Sequence, residues 1–140
     1  MQTRWTERYA LRTQSMKSSV IRELLKLTAD PQIISFAGGL PGPDLFPLPE
    51  FRDAADRVIR DQGAHALQYS ATEGEGELRD MITRHTARYG IAITRDNVLI
   101  TSGSQQALDL IGRVFLNPGD HVLVEAPTYL GALQAWSAYQ

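Results

Sequence analysis

The sequence predicts a mixed α/β fold, in which N-terminal helices lead into the start of a domain built on a parallel or mixed sheet. Two observations carry this. From Pro49 to Tyr89 the apolar residues recur with helical spacing. Beyond Asn97 the pattern changes to short continuous apolar runs, Val98–Ile100 and Val122–Val124, separated by a helical stretch. Strand, helix, strand and helix in succession are the βαβ signature of a parallel sheet, whose strands are apolar on both faces because both are covered.

Each element follows from local signals. The first dozen residues are polar and aperiodic and predict loose structure. Ser18 and Ser19 can cap a helix carrying Val20, Ile21, Leu24, Leu25 and Leu27, which Asp30-Pro31 ends. Ile33 to Phe36 is a short apolar run. The stretch from Ala37 to Pro47 holds Gly38, Gly39, Gly42, Pro41, Pro43 and Pro47, which enforce irregular backbone. Pro49 suits a first helical turn. Phe51, Ala54, Ala55, Val58 and Ile59 line one face of the helix that follows, and Gly63 is its expected stop. After a break at Gly74-Glu75-Gly76, a second helix carries Leu78, Met81, Ile82, His85 and Tyr89 and ends at Gly90. Asn97–Thr101 reads as a strand, Ser102–Ser104 as a turn and Gln105–Leu116 as a helix. Asn117-Pro118-Gly119-Asp120 is a strong turn, His121–Glu125 a second strand, and Tyr129 opens a last helix. Two strands do not complete a parallel sheet, so the main domain is expected to continue beyond residue 140.

Composition narrows the chemistry. In 140 residues, 14 are basic and 16 acidic, giving a net charge of -2. That balance argues against a nucleic-acid partner. There is no cysteine, which excludes disulfides, thiolate nucleophiles and cysteine-held metal centres. His65, His85 and His121 are scattered, so no metal site is expected. No run approaches the ~18 apolar residues of a membrane span, and the N-terminus lacks the apolar core of a secretory signal. A cytoplasmic location is the expectation. Lys17 and Lys26 are the two lysines.

Five segments could carry function. Thr101-Ser102-Gly103-Ser104-Gln105-Gln106-Ala107 passes from a strand into a helix, where unpaired amides and a positive dipole suit a phosphate or carboxylate. It is neither a Walker loop nor a GxGxxG turn, and a plain strand-to-helix turn with a serine cap has the same appearance. Glu125-Ala126-Pro127-Thr128-Tyr129 follows the second strand, where Tyr129 could stack on a flat ligand held beyond the strand ends, or serve as an ordinary half-buried aromatic. Tyr69 on the Gln68–Gly74 loop offers a hydroxyl donor, although most loop tyrosines are structural. Phe36–Pro41 presents backbone without side chains at Gly38 and Gly39, as either a substrate-site lining or a crossing turn. Arg22 is either a solvated cation or a clamp for a carboxylate.

Taken in order, Phe36-Ala37-Gly38-Gly39-Leu40-Pro41, Gln68-Tyr69 with Gly74 and Leu78-Arg79, Thr101 to Asp109, and Glu125 to Tyr129 resemble the N-terminal part of the class I/II pyridoxal-phosphate aminotransferases of fold type I. The resemblance extends from about Ser18 onward and is strongest to the 2-aminoadipate and kynurenine aminotransferase-like branch. It implies pyridoxal 5'-phosphate as cofactor, with Gly103, Ser104 and Gln105 at its phosphate, Tyr129 on its ring, and Tyr69 reaching the phosphate of the partner subunit in a homodimer. Gly39 would lie beside the substrate α-carboxylate, and Arg22 would stand on a helix over the active-site entrance. Residues 1–47 would form an N-terminal arm with that helix, and 48–140 the helices and first βαβ portion of the cofactor-binding large domain.

The same resemblance implies that the catalytic residues are absent here. The family's Schiff-base lysine lies further along, beyond residue 140, and neither Lys17 nor Lys26 has its context. The expected reaction of the longer enzyme is transamination between an amino acid and a 2-oxo acid, with 2-oxoglutarate as acceptor. Two alternatives share the scaffold: the effector domain of a transcriptional regulator, and another pyridoxal-phosphate reaction. Against the regulator stand the shortness of the segment before Phe36, the absence of basic charge, and an enzyme-like Glu125–Tyr129 segment.

Overall fold

A computed structural model describes residues 4–14, 16, 32–34, 36 and 39–140. The helix expected from Ser18, together with Lys17, Arg22, Lys26 and Gly38, lies outside the described residues. Two compact units are present: one is Gly39–Ile100, and the other contains Thr101–Gln140.

Near the N-terminus, Trp5–Arg8 and Leu11–Gln14 form single 3-10 turns with no buried residue. This is more local order than the aperiodic sequence suggests.

In the unit 39–100, a 3-10 turn at Pro43–Leu45 precedes helix α1, Leu48–Ala66. Pro49 falls in its first turn, where a missing N–H costs nothing. The backbone leaves helical geometry at Gln62, with φ -139° and ψ 21°, one residue before the expected stop at Gly63; a further short turn runs to Ala66. Helix α2 is Gly76–Ala87, so Gly76 belongs to its first turn rather than to the preceding break. Its end is a Schellman motif: Ile91 N–H donates to Thr86 O at 3.3 Å and Gly90 N–H to Ala87 O at 3.0 Å. Gly90 supplies the positive φ, +75°, that this geometry requires.

Two arginines fasten α2 to the segment that follows. Arg79, buried, donates from Nε to Val98 O at 3.0 Å and from a terminal nitrogen to Arg95 O at 2.8 Å. Arg95 grips Asp80 through both carboxylate oxygens, which holds the Asp80 carboxyl below the usual range. The Tyr69 loop docks on the same segment: Ile100 N–H donates to Glu73 O at 2.9 Å, and Gly74, at φ +100°, leaves no room for a Cβ beside Ile100.

In the unit containing 101–140, helix α3, Gly103–Phe115, packs on helix α4, Leu130–Ser137. Gly112 makes this possible. A Cβ there would sit 2.8 Å from the Tyr139 ring and 3.0 Å from Trp136 Cδ1. Trp136 Nε1 donates to Leu108 O at 3.0 Å, and the Tyr139 hydroxyl to Asp109 Oδ1 at 2.7 Å. Between the helices, Asn117–Asp120 is a tight turn with Gly119 at φ +89°.

The two expected strands differ from expectation. Asn97 belongs to a 3-10 turn, Arg95–Asn97; Val98 is extended, and neither 98–101 nor 121–125 has a ladder partner among the described residues. The apolar runs are there but lack the neighbouring backbones that define a strand. Leu123 is accordingly 99% exposed, and the buried apolar side chains among the described residues are Val98, Ala132 and Ala135.

Candidate functional site

The turn into α3 has the features of an anion cradle. Gly103 has φ +74°, with open space where a Cβ would stand. Its N–H donates to Thr101 O at 2.9 Å, and its carbonyl accepts from the Thr101 hydroxyl at 3.1 Å, so the turn is held from one side. The Gln106 side chain folds back to accept from Ser102 N–H at 2.5 Å. The Ser102 side chain makes no capping hydrogen bond, which leaves the Ser104 and Gln105 amides in the first turn, at the positive end of the helix dipole, free for an anion. Ser102, Ser104 and Gln105 are exposed. These features fit a phosphate group.

The Gln105 side chain leads to the second half of the site. Its carboxamide donates to Gly131 O at 3.3 Å, tying the α3 turn to the first turn of α4. Tyr129 is the residue that precedes α4. Its ring lies against Gly131, where a Cβ would meet Cε1 and Cζ, while 56% of the residue stays exposed. An aromatic surface supported on one side and open elsewhere fits a flat heteroaromatic ligand. The preceding Ala126–Pro127 peptide is cis.

Thus Gly103, Ser104, Gln105 and Tyr129 come together within one unit. Tyr69 and Gly39 belong to the other. Tyr69 is 98% exposed on its loop, and its N–H donates to Gln68 Oε1 at 2.8 Å. Glu75 secures that loop. Its carboxylate accepts from the Ser70 hydroxyl and meets His65 Nε2 at 3.2 Å, and these two partners, Ser70 first, lower its pKa. Among the described residues, nothing lies within 4 Å of where a Cβ at Gly39 would stand. Arg22 lies outside the described residues. Among the described residues no group of His, Asp and Glu side chains could hold a metal ion.

Arg79 and Gly131 have no role in the sequence motifs. Arg79 is a brace and Gly131 a support for the ring. Nothing local in the sequence signals either, because the partners lie far along the chain or depend on an absent side chain.

Residues 32–140 match the family described as aminotransferase class I and II. The chain belongs to that family. It is 52% identical over 132 residues to a 2-aminoadipate transaminase of Thermus thermophilus, covering 94% of this chain and 32% of the relative. It is also 52% identical to aromatic-amino-acid aminotransferase 1 of Thermococcus litoralis, over 89% of this chain and 30% of that one. The crystal structure of an alpha-aminoadipate aminotransferase from Thermus thermophilus, complexed with N-(5'-phosphopyridoxyl)-L-leucine, superposes with a TM-score of 0.81 at 47% identity, covering 98% of this chain and 33% of that chain. A weaker match, 36% identical over 84% of this chain and 25% of the relative, is a helix-turn-helix transcriptional regulator of Escherichia coli. The chain therefore spans about a third of the length of the curated relatives it matches, and its fold is that of the N-terminal third of the fold type I aminotransferases.

Proposed function

We propose that this chain is the front part of a pyridoxal-phosphate-dependent aminotransferase, and that it holds the cofactor without carrying the catalytic lysine. The observation that carries the reading is the α3 turn, whose first amides the Ser102 side chain leaves uncapped, tied by Gln105 to the α4 start that bears Tyr129. Gly103, Ser104 and Gln105 bind the phosphate through backbone amides and the helix dipole. Tyr129 orients the ring by stacking and keeps water from one of its faces. When bound, the cofactor supplies an electron sink for the substrate carbon whose bonds are being broken. Gly39 lets the substrate carboxylate approach the backbone, and Arg22 selects among side chains at the entrance. Tyr69 donates to the phosphate of a partner subunit, so the working form is a homodimer with shared sites. Residues 1–47 act as arm and entrance helix, and 48–140 as the start of the large domain.

The substrates are an amino acid and a 2-oxo acid, with 2-oxoglutarate as acceptor. Two relatives with the same identity have names that point to different donors, 2-aminoadipate and aromatic amino acids. Both donor classes therefore belong in the test. No helix among the described residues is long and apolar enough to cross a membrane. The proposal places the enzyme in the cytoplasm, without a nucleic-acid partner.

The match to a helix-turn-helix regulator favours a second reading, an effector domain on the same scaffold. One experiment separates the two. The full-length protein is purified with pyridoxal phosphate and assayed for glutamate formation from 2-oxoglutarate with 2-aminoadipate, tyrosine or phenylalanine as donor. Glutamate formation with turnover is the expected result. No turnover with any donor, together with salt-sensitive binding to operator DNA, would replace the enzyme by the regulator.

A further inference from the structure

The Tyr129 ring rests on Gly131, two residues along the chain, at the first turn of α4. Cε1, Cζ and the hydroxyl oxygen all occupy the space a Cβ at Gly131 would take. Gly131 is buried, while its carbonyl accepts from the Gln105 carboxamide at 3.3 Å. The Gln105 amide also belongs to the α3 turn. Phosphate turn, helix start and aromatic ring are thus joined through one residue that has no side chain.

Glycine is not there for its backbone. Gly131 is helical and has no positive φ. In a helix, alanine is favoured over glycine by roughly 1 kcal/mol. A residue that costs helix stability and needs no special φ must be explained by the space it leaves, and the ring fills that space.

Resting on the cofactor reading above, we propose that Gly131 is a positioning residue for Tyr129: the missing side chain lets the ring lie down on the start of α4 and so sets the face that Tyr129 would offer to the cofactor. Gln105 keeps that platform in register with the phosphate turn. A methyl group at position 131 leaves the helix intact and lifts the ring. The phosphate contacts, made by α3 backbone, stay as they are.

The test compares a ligand that has both phosphate and ring with one that has phosphate alone. Full-length protein freed of cofactor is titrated with pyridoxamine 5'-phosphate and, separately, with inorganic phosphate. Wild type, Gly131→Ala, Tyr129→Leu and the double variant are measured, with far-UV circular dichroism as a check on the helices. Gly131→Ala is expected to weaken pyridoxamine phosphate binding about threefold to tenfold, the size of an aromatic stacking contribution. Inorganic phosphate binding should not change. In the Tyr129→Leu background Gly131→Ala should have no further effect, because the ring through which it acts is gone. Unchanged pyridoxamine phosphate affinity in Gly131→Ala overturns the proposal. So does an equal loss for inorganic phosphate, or a loss that persists without Tyr129, since either places the effect in the helix rather than the ring. Wild type that binds no pyridoxamine phosphate overturns the cofactor reading itself, a different outcome from any of these.

Discussion

Replacing Arg79 by methionine should destabilise the protein far more than a typical helix substitution. Arg79 lies on α2 with 11% of its side chain exposed. Its guanidinium supplies two hydrogen bonds from a charged donor, to Val98 O and Arg95 O. Such bonds contribute about 1.5–3 kcal/mol each. They do not count equally here. Arg95 is exposed, so its carbonyl can turn to water when the donor is removed. Val98 is buried, so its carbonyl is left without a partner and retains its desolvation cost. The weak Asp96 contact, at 3.8 Å to a side chain 94% exposed, adds little. Methionine keeps most of the packing volume, which limits the change to the polar terms. The expected loss is about 2–4 kcal/mol. Arg79→Lys should fall between, because one ammonium cannot serve two carbonyls as a planar guanidinium does. Urea unfolding of the full-length protein, followed by circular dichroism, measures both. A methionine variant within about 0.5 kcal/mol of wild type, the range of ordinary surface changes, would refute the view that this arginine braces α2 against the 95–98 segment.

Gly103→Val places a β-branched residue at φ +74°, costing about 1–2 kcal/mol in the turn, so pyridoxal phosphate affinity of the full-length protein should fall roughly tenfold. Gly103→Asn should fall less, since asparagine tolerates positive φ, and equal affinity for all three proteins would count against the cradle. Tyr69→Phe should leave the thermal midpoint unchanged, because the side chain is exposed, yet more cofactor should be lost on gel filtration; full retention would remove Tyr69 from the phosphate site. Glu75 has a lowered pKa, chiefly from the Ser70 hydroxyl and then from His65. A depressed carboxylate stabilises the fold above the ordinary carboxylate range, and that contribution is lost as pH falls through the lowered value. The thermal midpoint of Glu75→Gln should therefore lie below wild type at neutral pH and converge with it under acid. A constant gap across that range would show that ionisation of Glu75 is not what secures the Tyr69 loop.

What the sequence determined by itself is what neighbours along the chain can enforce. Pro49 in the first turn of α1, Gly90 ending α2, the Asn117–Asp120 turn and the glycine that opens α3 were all legible, because φ restriction and hydrogen bonds over a few residues set them. The order of the four motif segments made the family legible too, and with it the fold. The sequence did not determine which side chains brace the site. Arg79 meets Val98 across 19 residues, Gln105 meets Gly131 across 26 and Trp136 meets Leu108 across 28. No local spacing encodes these pairs. The same distinction explains the strands: apolar runs at Val98–Ile100 and Val122–Val124 mark segments suited to a sheet, but a ladder exists only where another backbone supplies the opposing N–H and C=O groups. Only tertiary structure could decide that Gly131 supports the Tyr129 ring, because the feature that matters there is an absent side chain, and its meaning depends on what packs into the space.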